Sequence, residues 1–472
     1  MKKRGGYLGT ATEAFSSAAE TNAIVVDPKP LFEISPWLYM QFMEPLGSTD
    51  GSVEACWDYE ADDWRKDFVD TVRDLAPGAI RFGGLFSRYY KWREGIGPPA
   101  RRPPMRNYVW GGWETNRVGT AELVDLCRRI NAEPFFCVNF LSDGDKRFAA
   151  RAGDAQEAAE WVRYSRLKLW QIGNETSYDA ACFTQEEAIA HTIEFARAMR
   201  KVDPSLQLIG WGDRGSDGKF WAPAMEKQAG GLIDLVAIHM MGQIPQRSDT
   251  VLDGLRYQQD PARAWEELVE LSDIVERRVV EIEQATTKPI AITEGHLSLR
   301  PHNANPILCA WLSAIYHARS MNIYQRHGDR IRIATASDFQ GNHWTTTAVM
   351  TPTPFGRSYL TPAGSIARLF RKYNGTHGVE LTSAPAGLDV AASRAGNKLF
   401  LHVVNTQYDR SVDASFPGAK GGRVIEIAPE DPLLSVSEQQ PNAFRPSETE
   451  LKEASWRFPA RSVSAVELEM VK

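Results

Sequence analysis

At 472 residues the chain exceeds one ordinary domain, and a barrel of roughly 250 residues with an accessory domain fits its length. With 43% hydrophobic residues, 24% charged residues and 14 tryptophans it can bury a large core without cross-links, as soluble globular proteins do. The formal charge of −6, without a block of like charges, argues against nucleic acid as a partner, and no run reaches the roughly 20 apolar residues of a membrane span.

The opening "MKKRGGYLGTATEAFSSAAE" has a basic cluster but no apolar stretch of the kind a secretory signal needs, so a cytoplasmic protein is expected. Cys56, Cys127, Cys137, Cys182 and Cys309 are scattered and lack C-x-x-C spacing, which argues against a disulfide framework or structural zinc and for small buried thiols.

From residue 37 short apolar runs alternate with helical patterns. In order they are "WLYMQFM" at 37, "AIRFG" at 79, "PFFCVN" at 134, "LKLWQIGN" at 167, "LQLIGW" at 206, "DLVAIHM" at 234, "PIAITE" at 289 and "RIRIATASDF" at 330. The intervening segments, such as "TQEEAIAHTIEFARAMRKV" at 184, carry apolar residues at helical spacing. Eight such alternations predict a (β/α)₈ TIM barrel over 31–372. Beyond it, "LDVAASRAGNKLFLHVVNT" and "RSVSAVELEM" alternate with period two between turn residues, which predicts a C-terminal antiparallel β-sandwich over 373–472. Residues 1–30 form an N-terminal strand segment expected to join that sandwich.

Barrel chemistry sits where strands end at the C-terminal face. The strand ends offer Glu44, Arg81, Asn139, Asn174 with Glu175, His239 and Glu294. Glu175 and Glu294 follow the fourth and seventh strands, which face each other across a barrel mouth. Two carboxyl groups about 5 to 5.5 Å apart are what glycoside hydrolysis with retention requires. Either glutamate alone reads equally well as a rim salt bridge, whereas a converging buried pair is costly unless used. No cluster has metal-ligand spacing, and no metal or organic cofactor is expected.

The motifs "FMEPLG" at 42, "IRFGGLFSRYYKWREGIGP" at 80, "VWGGWETNRVGTAELVDLCRRINAEPFFCVN" at 109 and "WQIGNE" at 170 resemble those of the family 51 α-L-arabinofuranosidases, retaining (β/α)₈ glycosidases. The resemblance implies Glu175 as general acid/base, Glu294 as nucleophile and Asn174 as donor to the hydroxyl beside the anomeric carbon. It implies Glu44 on other hydroxyls of that sugar, Arg81 keeping Glu294 ionised, Trp110 lining the glycone pocket, and a homo-oligomer. His239 and His296 join the expected substrate contacts, His296 either touching the sugar or bonding to backbone behind it.

The sequence departs from that family's pattern inside the pocket. Leu85 stands where an asparagine is usual, Met241 where a tyrosine is, "TEGHLSL" where Trp-Asn follows the nucleophile, and Thr346 where a glutamine is expected. Trp92, Trp110, Trp113 and Trp344 are expected in loops at the active end, and Trp37, Trp170, Trp265 and Trp311 in the core. Three readings follow: an exo-acting α-L-arabinofuranosidase on arabinose-containing oligosaccharides, a retaining glycosidase for another furanoside, xylan or glucan, or a non-catalytic sugar-binding barrel.

Overall fold

A computed structural model describes residues 22–141, 153–243, 248–353 and 355–470. Residues 1–21 of the expected N-terminal segment lie outside the described residues.

Eight strands form one parallel sheet in sequential order: Met40–Met43, Ala79–Phe82, Glu133–Cys137, Leu169–Ile172, Gln207–Trp211, Leu235–Gln243, Ile290–Ser298 and Ile331–Ala334. The first and eighth strands lie side by side, which closes the barrel. The helices that follow these strands wrap the sheet, so both strand faces are dry and the strands read as unbroken apolar runs. Their starts are written locally. Thr184 and Glu187 make a capping box for Gln185–Val202, Asp154 caps Ala155–Ser165, and Thr361 caps Pro362–Lys372 with proline at its first turn.

The second region is a seven-stranded antiparallel sheet in which Val25–Glu33 pairs with His377–Ser383 at one edge. Successive side chains point to opposite faces of this sheet, and both faces are covered. Leu399, Leu401 and Val403 face a core with Phe416 and Phe458 beneath the two-stranded ladder of Val412–Ser415 and Ser455–Phe458. Val404 and Val463 face the barrel helices, where the His402 ring stacks on Phe370 at 4.0 Å. A buried carboxylate locks this contact: Asp389 accepts from Asn322 at 2.7 Å and Arg326 at 3.0 Å, both on helix Ala314–Arg326.

Cys56, Cys127 and Cys137 are buried free thiols as expected, while Cys182 and Cys309 are half-buried. Among the described residues, no helix is long and apolar enough to cross a membrane.

Candidate active site

The fourth barrel strand leaves the sheet abruptly. Gly173 has φ +85° and Glu175 φ +53°, both in the left-handed region, and a 3₁₀ turn over Thr176–Tyr178 follows. The chain therefore folds back over the mouth of the barrel, with the Glu175 carboxyl at the rim. The sixth and seventh strands do the opposite. They run on to Gln243 and Ser298, so His239 and Glu294 lie within strands rather than at their ends as the apolar runs suggested. The register between them slips after Ile238, skipping Thr293 and setting His239 beside Glu294.

His239 joins the two carboxylates. Its Nδ1 lies 2.8 Å from Glu175 Oε1 and 3.5 Å from Glu294 Oε2, and its Nε2 lies 3.2 Å from the Thr293 hydroxyl. One oxygen of each glutamate and a His239 nitrogen fall within 4.8 Å of one another. That separation is on the side expected for retention, since inverting pairs stand about 6.5 to 9.5 Å apart.

Arg81, fully buried, binds the floor together. Nη1 donates to Glu294 Oε1 at 2.9 Å, Nε to Gln171 Oε1 at 2.7 Å and Nη2 to Asn174 Oδ1 at 2.5 Å. One guanidinium thus ties the second, fourth and seventh strands. With Oδ1 so held, the Asn174 amide nitrogen is buried without a protein partner. Glu44 accepts from Trp110 Nε1 at 2.9 Å and Phe86 N at 3.2 Å. Its carboxyl lies where a side chain on Gly84 would stand, 2.1 Å from an added Cβ, so only glycine fits there.

Burial dominates the electrostatics. It raises Glu175 to about 7 against the opposing charges of Arg88 and Arg81, and lowers His239 to about 4, which leaves the imidazole neutral at pH 7. Burial also raises Glu294, aided by Glu175 and opposed by His239 and Arg81. The Arg81 contact implied by the resemblance is therefore present, but it does not pull Glu294 below the ordinary carboxylate range. Glu44 is raised further, by burial and then by Glu294. Its bonds come from neutral donors while Glu294 faces a guanidinium, so between these two the proton rests on Glu44.

The pocket above these groups has a volume of about 160 Å³. Glu44, Glu175, Glu294, Trp110 and His296 line it, while Arg81, Asn174 and His239 support it from behind. Leu85, after the second strand, and Met241, in the sixth, also line it and add apolar surface to the pocket. A larger groove of about 910 Å³, bordered by Phe183, Arg214 and Trp221, touches neither Glu175 nor Glu294. The smaller pocket is the candidate site because the reactive groups converge there.

Several expectations need correction. Thr346 does not line the pocket but donates to Asp338 Oδ2 at 2.9 Å, and the glutamine at the pocket wall is Gln340. Gln340 is buried with both amide atoms unpartnered, a polar group left free on the wall. His296 is bonded to side chains rather than backbone. Its Nε2 lies 3.1 Å from Ser298 Oγ, and its Nδ1 makes an ion-pair contact of 2.7 Å with Asp338 Oδ1. Burial works against its cation, yet Asp338, Glu294 and Glu175 together outweigh it and raise the His296 pKa. Trp92 is core, stacked on Trp161 at 5.9 Å, and Trp113 is 65% exposed outside the pocket. Trp344 does line it, packed edge-on against Trp110.

The sequence reading also passed over residues that the fold recruits. Gln171 is an inward polar residue inside an apolar strand, a signal visible in "LWQIG". Asp213 follows the fifth strand, accepts from the His239 backbone at 2.9 Å and from Tyr178 at 2.5 Å, and pairs with Arg278 at 2.7 Å. Glu175, His239 and Glu294 form the one cluster of metal-ligand dimensions among the described residues, which spacing along the chain could not reveal. Arg81 donates to Glu294 Oε1, and His239 Nδ1 stands between Glu175 Oε1 and Glu294 Oε2, an arrangement suited to proton transfer.

Residues 71–166 match the family model for the α-L-arabinofuranosidase 1 domain. A probable α-L-arabinofuranosidase C of Aspergillus fumigatus is 30% identical over 228 residues, 42% of this chain and 43% of that protein. An intracellular exo-α-(1→5)-L-arabinofuranosidase of Streptomyces lividans is 30% identical over 236 residues, 44% of this chain and 34% of that protein. The chain thus spans less than half the length of these curated relatives. An α-L-arabinofuranosidase of Thermotoga maritima, solved with arabinose, superposes with a TM-score of 0.74 at 23% identity, covering 95% of this chain and 100% of that one. The resemblance to the family 51 α-L-arabinofuranosidases read from the motifs is therefore borne out, and the chain has their fold, a TIM barrel with a β-sandwich.

Proposed function

We propose that the protein is a retaining glycoside hydrolase that removes terminal α-L-arabinofuranosyl residues from arabinose-containing oligosaccharides. The observation that carries this reading is the pair Glu175 and Glu294, within 4.8 Å and joined through His239 beneath a pocket of about 160 Å³. A pocket of that size holds one sugar ring, which favours exo action. Glu294 attacks the anomeric carbon while Glu175 protonates the departing oxygen, giving a glycosyl ester and a free alcohol. Esterification removes the Glu294 charge, and Glu175, now ionised, takes a proton from water whose oxygen displaces Glu294. Free sugar leaves and both carboxyl groups return to their starting states. Asn174, Glu44 and Trp110 hold the ring, with His296 and Gln340 at its far side.

Residues 31–372 carry this chemistry, and the sandwich of 373–472 acts as a brace. The name of the Streptomyces lividans relative, an intracellular exo-acting enzyme, supports exo action inside the cell, and the family resemblance supports a homo-oligomer. A second reading rests on Leu85 and Met241: apolar lining at these two positions removes hydrogen bonds that a furanose could use, which favours another glycone. Hydrolysis of aryl α-L-arabinofuranoside against a panel of aryl glycosides separates the two. A Glu175→Ala protein as active as wild type, or a fluorosugar ester trapped on a residue other than Glu294, sinks the assignment of roles.

A further inference from the structure

Glu175 sits in a backbone conformation that side-chain-bearing residues avoid, with φ +53° and ψ +30°. Such a conformation persists only where its surroundings hold it. Arg88, which is 7% exposed, supplies that hold from the 3₁₀ turn after the second strand. Its Nε and Nη2 both donate to the Asn174 carbonyl at 3.1 Å, and Nη2 donates also to the Glu175 carbonyl at 2.9 Å. The remaining arm pairs with Asp179 at 2.9 Å, just beyond the Thr176–Tyr178 turn that follows Glu175. The guanidinium lies over the Phe183 ring at 5.5 Å, and the Arg88 carbonyl accepts from Leu141 N at 3.1 Å.

We infer that Arg88 is a positioning residue for the acid/base: its planar fork grips the peptides on both sides of the Glu175 Cα and so aims the carboxyl at the leaving oxygen. A fork with several donors is needed because two carbonyls and a carboxylate must be held from one side chain. The inference rests on the assignment of Glu175 as acid/base made above. Arg88 also acts on the carboxyl through space. Glu175 is faced by Arg88 and Arg81 from the second strand and its turn, by His239 from the sixth and by Glu294 and His296 from the seventh. Asp213 from the fifth strand, Glu44 from the first and Tyr178 in its own turn complete the set. Of the charges acting on it, Arg88 is the largest that favours the ionised form.

The test compares Arg88→Met, Arg88→Lys and Asp179→Asn with wild type on aryl glycosides whose leaving groups span activated dinitrophenol to unactivated phenol. With dinitrophenol no proton need be donated, so Arg88→Met is expected near wild type in the glycosylation step. With unactivated phenol it loses on the order of 100-fold in kcat, the scale of a misplaced acid. The alkaline limb of its kcat/KM profile moves up in pH, because a cation that favours the Glu175 carboxylate is gone. Arg88→Lys recovers part of the loss, since an ammonium reaches fewer of the three acceptors, and Asp179→Asn shows a weaker form of the same pattern. Equal losses on activated and unactivated substrates, or an unmoved alkaline limb, would overturn the inference. If Arg88→Met does not fold, Arg88→Lys and Asp179→Asn decide by the same two readouts. Glu175→Ala keeps the two questions apart. If it is inert towards unactivated substrates and rescued by azide while Arg88→Met is normal, the acid/base assignment stands and the role of Arg88 falls.

Discussion

Replacing Arg81 by methionine removes the one cation at the floor of the pocket, and the cost divides into two parts that pH separates. The first part does not depend on pH. Gln171 Oε1 and Asn174 Oδ1 lose their donors at 2.7 and 2.5 Å while still buried, at about 1 to 3 kcal/mol each. The second part comes from Glu294, whose side chain is 7% exposed and would be left as an unpaired buried charge, at about 3 to 5 kcal/mol. Glu294 escapes that cost by taking a proton, at about 1.4 kcal/mol for each pH unit above its new pKa. Its pKa, already raised by burial, rises further once Arg81 is gone. A carboxyl whose folded pKa lies above its unfolded value stabilises fully below the unfolded pKa and loses that contribution as pH rises through the folded one. The destabilisation of Arg81→Met is therefore smaller at pH 5 than at pH 8, by about 2 to 4 kcal/mol. Urea unfolding at the two pH values measures it, and the acid limb of the pH-rate profile should move up in the same variant. Equal destabilisation at both pH values would refute the picture of Glu294 as a charge balanced by Arg81.

Glu175, raised to about 7, should set the alkaline limb of kcat/KM near pH 7, because activity needs its proton, and Glu175→Gln should abolish that limb for substrates with activated leaving groups. Met241→Tyr and Leu85→Asn put hydrogen-bonding groups at these two apolar positions, and the ratio of kcat/KM for α-L-arabinofuranoside to that for other aryl glycosides should rise by about 10- to 100-fold. A ratio that stays flat would mean these positions do not touch the sugar. Asp389→Ala removes one partner each from Arg319 and Arg326, which keep Asp273 and Glu276, and leaves the buried Asn322 amide without its closest acceptor, so it should cost about 1 to 3 kcal/mol in urea unfolding, while kcat/KM stays unchanged under native conditions. A large loss of activity without loss of stability would instead make the sandwich part of the site.

How much of the site could be read depended on the direction in which its residues are related. Glu175 and Glu294 were visible because each follows an apolar run, and a barrel sends such positions to one end. His239 was visible as a strand residue, but its place between the two carboxylates depends on the register slip after Ile238, which no pattern of hydrophobicity encodes. Gln171, Arg88 and Asp213 were passed over because a polar residue within or just after a strand has many uses, and only the packed barrel shows what each one meets. Thr346 and Gln340 were confused for a related reason. Both lie after the eighth strand, in a stretch of short strands where the period gives no firm guide to which side chain faces inward.

By itself the sequence determined the alternation of strands and helices, and hence a barrel with an antiparallel sheet after it, because short apolar runs separated by helical spacing and period-two runs separated by turn residues are different patterns in the chain. It also named the two glutamates. The tertiary structure alone decided that their oxygens lie within 4.8 Å, that burial raises Glu175 to about 7, and that Leu85 and Met241 both line the pocket. Those facts depend on distances between strands far apart in the chain and on how completely water is excluded between them, and neither quantity is written in local order.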